Sequence, residues 1–96
     1  MSGIILGPNA KALEGSKTST AGTVAALSTD DRSFRTVIVV PKSTNSDTVL
    51  CGLSPTDPKM EAPFQFPEMQ GKFYRLDQMY MKPTVNGEGV NFIAFY

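Results

Sequence analysis

The residues able to do chemistry are few and badly placed for it. Asp30 and Asp31 are the only adjacent carboxylates. They lie in the polar stretch Ser28-Thr29-Asp30-Asp31-Arg32-Ser33, and neighbours on an extended chain point opposite ways, so adjacency does not make them an acid–base dyad. A calcium site built from them and backbone carbonyls would lack the ligand spacing of an EF-hand. Gly87-Glu88-Gly89 has the Gly-x-Gly form, but it stands between two apolar runs, whereas a phosphate-cradling loop opens a helix. Cys51 is the only cysteine, so no intrachain disulfide forms. An activated thiol needs a nearby cation or helix N-terminus, and the apolar surroundings of Cys51 read instead as a small buried strand residue.

The chain has no histidine. That removes the commonest general base and metal ligand together, and with them the Ser-His-Asp and Cys-His arrangements and a zinc site of the usual Cys/His type. The expected protein is not an enzyme, and no cofactor or metal is expected. Nine basic residues balance nine acidic ones. Phosphate neutralisation calls for a basic excess or patch, so direct nucleic-acid binding is not expected. Exposed aromatics would suit a sugar platform, but tryptophan is absent. In a domain this small, residues such as Phe64, Phe66, Phe92 and Phe95 are expected to fill the core.

What positions these residues is a series of short strands. Ninety-six residues make one domain with one small core. Thr36 to Val40 is five β-branched residues in succession and the clearest strand. Thr20–Leu27, Thr48–Leu53, Phe64–Pro67 and Lys72–Leu76 are further strand candidates. Residues 34–42 and 48–53 read as a hairpin about the polar turn Ser43–Asp47. Met79 to Tyr96 reads as a second hairpin about Asn86-Gly87-Glu88-Gly89, since Asn-Gly tolerates the positive φ of a tight turn. The fold class expected is all-β: a small antiparallel β-sandwich or barrel of six to seven strands.

Residues 1–19 read as an extended N-terminal arm, and residues 20–96 as the β-domain. Ala10 to Glu14 has at most one helical turn, too short to persist alone. The arm carries Ile4-Ile5-Leu6. Burying these would contribute roughly 5–8 kcal/mol, against roughly 6–12 kcal/mol to order the segment, so the arm suits one contact among several. Ile4, Ile5 and Leu6 are therefore candidate partner-binding residues, and removing residues 1–16 is expected to leave the domain folded. The second candidate surface is the proline loop Ser54–Pro63, through Pro55, Pro58 and Met60. A stiff crossover between two sheets is the competing account of that loop.

The three apolar residues near the N-terminus lack the basic flank and length of a signal peptide. No run approaches the ~20 apolar residues of a membrane helix. The chain is expected to be made in a cytosol and assembled there into something larger.

Two stretches carry a family resemblance. Val40-Pro41-Lys42-Ser43-Thr44-Asn45-Ser46-Asp47-Thr48-Val49-Leu50-Cys51-Gly52-Leu53-Ser54 has a Lys-x-x-Asn turn before a strand ending in Gly-x-Ser. Leu76-Asp77-Gln78-Met79-Tyr80-Met81 leads to an Asn-Gly-x-Gly turn at residues 86–89. Over roughly residues 17–96 the chain resembles small β-sandwich virion proteins of tailed bacteriophages, of the capsid decoration (cement) or head-fibre-base type. The resemblance implies a structural protein on the capsid surface, bound to the major capsid protein between capsomers as a symmetric homo-oligomer. The alternatives are a tail or head–tail connector component, or a spike domain binding a host glycan. Residues 55–70 depart from the family pattern in being rich in proline and phenylalanine.

Overall fold

The computed structural model describes residues 11–96. Ten strands account for the regular structure: β1 (Ala12–Thr18), β2 (Ala25–Ala26), β3 (Ser33–Phe34), β4 (Thr36–Pro41), β5 (Val49–Gly52), β6 (Met60–Glu61), β7 (Phe64–Phe66), β8 (Tyr74–Arg75), β9 (Tyr80–Pro83) and β10 (Gly89–Phe95). The only helical element among the described residues is a 3-10 turn at Leu76–Gln78. The first sheet has the order β1-β10-β4-β7, the second β2-β9-β5-β6, and a third consists of β3 and β8. Every strand pair is antiparallel. The all-β antiparallel class is as expected. The strand number is higher than six or seven because several strands are only two residues long. The expected strand Thr20–Leu27 contracts to Ala25–Ala26, since Ala21-Gly22 forms a turn with Gly22 at φ 74°.

One hydrophobic cluster serves all three sheets. It takes Val37 and Val39 from β4, Val90, Phe92 and Ala94 from β10, Val49 and Cys51 from β5, Met81 from β9, and Phe34 and Tyr74 from the small sheet. The strict alternation of β4 follows from period-2 geometry: Val37 and Val39 are fully buried while Val40 reaches solvent. Each such valine contributes about 1.5–3 kcal/mol by leaving water.

Neither expected hairpin forms. β4 lies in the first sheet and β5 in the second, and likewise β10 and β9. Both polar turns are corners at which the chain passes from one sheet to another. The reason is visible at Asn86-Gly87. The turn is closed by the Glu88 N–H donating to the Val85 carbonyl at 3.3 Å. Of its two central residues, only Gly87 has a positive φ, at 80°. A tight Asn-Gly hairpin requires positive φ at both; positive φ at the second alone is the type II form, whose twist splays the flanking strands. β9 therefore pairs with β2 and β5, and β10 with β1 and β4.

The N-terminal boundary also moves. Residues 12–18, expected within the arm, form β1 and pair with β10 from Ala12↔Phe95 to Thr18↔Gly89. Their burial alternates residue by residue, a strand period, which overrides the single helical turn read over Ala10 to Glu14. Leu13 packs against the core cluster. Gly15 leaves room for the Phe92 ring, which a Cβ at that position would approach to 2.6 Å. A cut at residue 16 would remove most of a core-covering strand, so the folded 17–96 fragment expected from the sequence is not supported by this pairing. Ile4, Ile5 and Leu6 lie outside the described residues.

The proline loop leaves β5 and returns to the same sheet, since Leu50 pairs with Glu61 and Cys51 with Met60. The crossover to the first sheet is the short Ala62-Pro63 step before β7.

Candidate interaction surface

The two sequence motifs behind the resemblance meet in space. Asn45 of the first donates from its side-chain Nδ2 to the Gly89 carbonyl at 2.7 Å, and its Oδ1 accepts the Gly89 N–H at 3.2 Å. The Asn45 amide thus acts as a short extra strand against the start of β10. Beside it, the Glu88 carboxylate accepts the Ser46 N–H at 2.6 Å, the Ser46 hydroxyl at 2.9 Å and the Asp47 N–H at 3.3 Å. The first of the sheet-changing loops joins the same cluster. Asn86 Oδ1 accepts the Ala21 N–H at 2.8 Å, and the Gly87 N–H donates to the Ser19 carbonyl at 2.9 Å. Gly89 has no alternative at its position, because a Cβ there would overlap the Lys17 carbonyl of β1. Three loops are locked at one end of the domain, which makes that end a structural joint with its polar groups already used.

The candidate chemical groups are likewise engaged. Asp30 accepts from the Arg32 side chain at 2.8–3.1 Å and from the Arg32 N–H at 2.9 Å. Those bonds hold its carboxyl below the ordinary value of 3.8. The Arg32 guanidinium, whose pKa is raised by Asp30, also lies 4.7 Å from the Tyr96 ring centre and 5.6 Å from that of Phe34, within cation–π range. Asp31 is exposed and does not join Asp30 in a pair. Cys51 is buried, and burial pushes its thiol up to about 11, so it stays protonated at neutral pH. Among the described residues no three His, Cys, Asp or Glu side chains come together as metal ligands.

Of the candidate partner residues in the proline loop, Pro55 is exposed, as expected of a projection. Pro58 turns inward, is fully buried and packs against Gly52. Met60 sits half-buried in β6 against the core cluster. The loop therefore does not present the three residues as one surface.

The exposed apolar surface is elsewhere. Phe73 is 60 % exposed, Met69 53 % and Leu53 50 %. Phe73 and Lys72 form a ridge between two shallow grooves. One, of about 340 Å³, reaches Leu53 and Tyr80. The other, of about 400 Å³, reaches Met69 and Arg35. The ridge follows a tight turn with Gly71 at φ 74°, bridged by Met69 and Lys72. Tyr74 explains why Phe73 faces out. The Tyr74 ring is buried against Phe66 at 5.5 Å, and its hydroxyl donates to the Pro67 carbonyl at 2.9 Å. Its strand neighbour Phe73 must then point the other way. The sequence carried that signal in the adjacency of two aromatics in a short strand. The flanking cations are partly neutralised, Arg35 by Glu68 at 3.4 Å and Arg75 by Asp77 at 2.6 Å.

A second open surface lies on the outward face of the first sheet. Ile38, Val40, Asn91 and Ile93 floor a groove of about 650 Å³, with Glu14 and Ser16 on its rim.

Compared with family models, curated proteins and solved structures, the chain has no match in any of the three.

Proposed function

We propose that this chain is a non-enzymatic virion structural protein of the bacteriophage capsid-decoration (cement) type. In this reading it is a β-sandwich in which the two four-stranded sheets close over the common core. It is made in the host cytoplasm and seats on the major capsid protein at junctions between capsomers. The single observation that carries a binding role is the ridge of Phe73 with Met69 and Leu53, each at least half exposed. Exposed large apolar side chains grouped around polar rims mark protein-binding surfaces, and an aromatic at the centre of such a patch is the usual anchor. The hydrogen-bonded joint between Asn45 and Gly89 brings together the two motifs on which the resemblance rests. Ile4-Ile5-Leu6 and the exposed Pro55 supply secondary contacts in the same reading.

The test is binding of the purified protein to undecorated capsid shells, with Phe73→Ser compared to the parent. Phe73 is mostly solvated, so folding is expected to be unchanged by near-UV circular dichroism. Binding is expected to weaken by at least about tenfold, the size of a modest anchor loss. Unchanged binding by the variant would remove the ridge from the contact. If the parent protein does not bind shells, or co-purifies at only a few copies per particle, the decoration role gives way to a tail or connector position.

A further inference from the structure

We infer that β1 is a self-pairing edge: two copies of the chain join β1 to β1 antiparallel about Gly15, and their first sheets become one continuous sheet. Among the described residues β1 is the outermost strand of its sheet, and it is seven residues long. Its bonds to β10 involve the odd-numbered residues: the Tyr96 N–H donates to the Lys11 carbonyl, and the Ser19 N–H donates to the Glu88 carbonyl. Antiparallel pairing alternates hydrogen-bonded and non-bonded residues. The N–H and C=O groups of Ala12, Glu14, Ser16 and Thr18 therefore point away from β10 along an edge that no described strand covers, the feature that invites strand addition.

The sequence of β1 fits a second copy of itself. Gly15 is the middle residue. Centring the two-fold axis there pairs Ala12 with Thr18, Leu13 with Lys17, and Glu14 with Ser16, each in both directions. The four residues whose backbone groups point outward then meet one another. No like charges oppose, and Leu13 lies along the aliphatic stem of Lys17. Moving the register two residues toward the N-terminus would set Glu14 against Glu14, which disfavours it. Moving it two toward the C-terminus leaves Ala12 and Leu13 without partners inside β1. At the axis, Gly15 faces Gly15, and each is covered by the Phe92 ring of its own chain, so no side chain obstructs the approach. A two-fold axis perpendicular to the sheet keeps the outward faces on one side. The groove floored by Ile38 and Ile93 would then adjoin its copy. This inference concerns the chain's own assembly and is independent of the shell partner proposed above.

The experiment is sedimentation equilibrium on the full chain over a concentration series, with amide hydrogen exchange read on the same samples. The expected result is a mass rising from 10.4 kDa toward twice that value. Exchange at Glu14, Ser16 and Thr18 should slow in step with the dimer fraction. Ser16→Pro removes an outward N–H and should abolish dimerisation, while the unfolding midpoint at dilutions where the parent is monomeric holds. Ser16→Glu, which sets two carboxylates opposite each other, should weaken the dimer without touching the β1–β10 bonds, and serves if the proline variant fails to fold. A wild-type chain that stays monomeric overturns the proposal. So does a dimer that neither variant weakens. Protection of those three amides in the monomer also overturns it, because the edge would then be covered within one chain.

Discussion

The side chain of Asn45 is hydrogen-bonded to both backbone groups of Gly89, forty-four positions along the chain. No other side-chain type of that size offers a donor and an acceptor in the spacing of a peptide group. Asn45→Ala is expected to leave the part-buried Gly89 N–H without a partner, the Gly89 carbonyl still accepting the Lys42 N–H at 3.1 Å, at a cost of about 1–3 kcal/mol. Asn45→Asp keeps the acceptor but loses the donor, and sets a carboxylate against the Gly89 carbonyl. It should be no more stable than the alanine variant. Urea unfolding of the three proteins checks the order; an alanine variant as stable as the parent would show the joint to be dispensable.

The glycines separate two kinds of constraint. A methyl group at Gly89 collides with the backbone of Lys17, which cannot swing aside as a side chain would. Gly89→Ala should therefore cost upward of about 3 kcal/mol, at or beyond the range of ordinary overpacking. A methyl at Gly22 meets open space, and its penalty is only the positive φ. Gly22→Ala should cost about 1 kcal/mol. Thermal melts of the two variants side by side should show this inequality.

Truncation locates the boundary between terminus and domain. A chain beginning at Lys11 retains β1 and all its pairing with β10, and is expected to unfold cooperatively. A chain beginning at Ser19 lacks β1, exposes the Phe92 ring and leaves one edge of β10 unpaired. It should be destabilised by several kcal/mol through lost apolar burial and backbone bonding. Denaturant midpoints of the two fragments give the comparison, and equal midpoints would mean that β1 contributes nothing to the fold.

Much of the secondary structure could be read from residue types. The β-branched run at Thr36–Val40 marks β4, and the apolar end of the chain marks β10. Which strand pairs with which could not be read. Both polar turns have hairpin composition, and only the absence of a positive φ at Asn86 turns one of them into a passage between sheets. Composition is blind to that single angle. β1 escaped notice because Ala, Gly, Ser and Lys are weak strand formers; its strand character comes from the Phe92 ring that covers Gly15, a contact between residues far apart in sequence. At the candidate surface, Phe73 is exposed although most aromatics in a domain this small are core. Its exposure follows from Tyr74 taking the inward position beside it.

Cys51 gives a pH signature of the core. Its thiol ionises only at about 11 in the folded chain, against an ordinary value of 9.0. The folded state holds the proton more tightly than the unfolded state. The stabilisation is therefore fully present below pH 9 and is lost as pH rises from about 9 to about 11. Cys51→Ala should remove this alkaline component, whatever its effect on stability at neutral pH. In the native chain at pH 8, iodoacetamide should label Cys51 only as fast as the protein opens, and rapid stoichiometric labelling would show the thiol to be accessible.

The strand order has a consequence for how the molecule comes into being. Among the described residues β1 pairs only with β10, and β2 only with β9. During synthesis the two earliest strands have nothing to pair with until the C-terminal quarter of the chain exists. Closing such long loops is entropically slow and places the chain among slow, topology-limited folders. Until then Ala12–Thr18 lacks the strand it pairs with, and a nascent chain shorter than residue 89 cannot form any of that pairing.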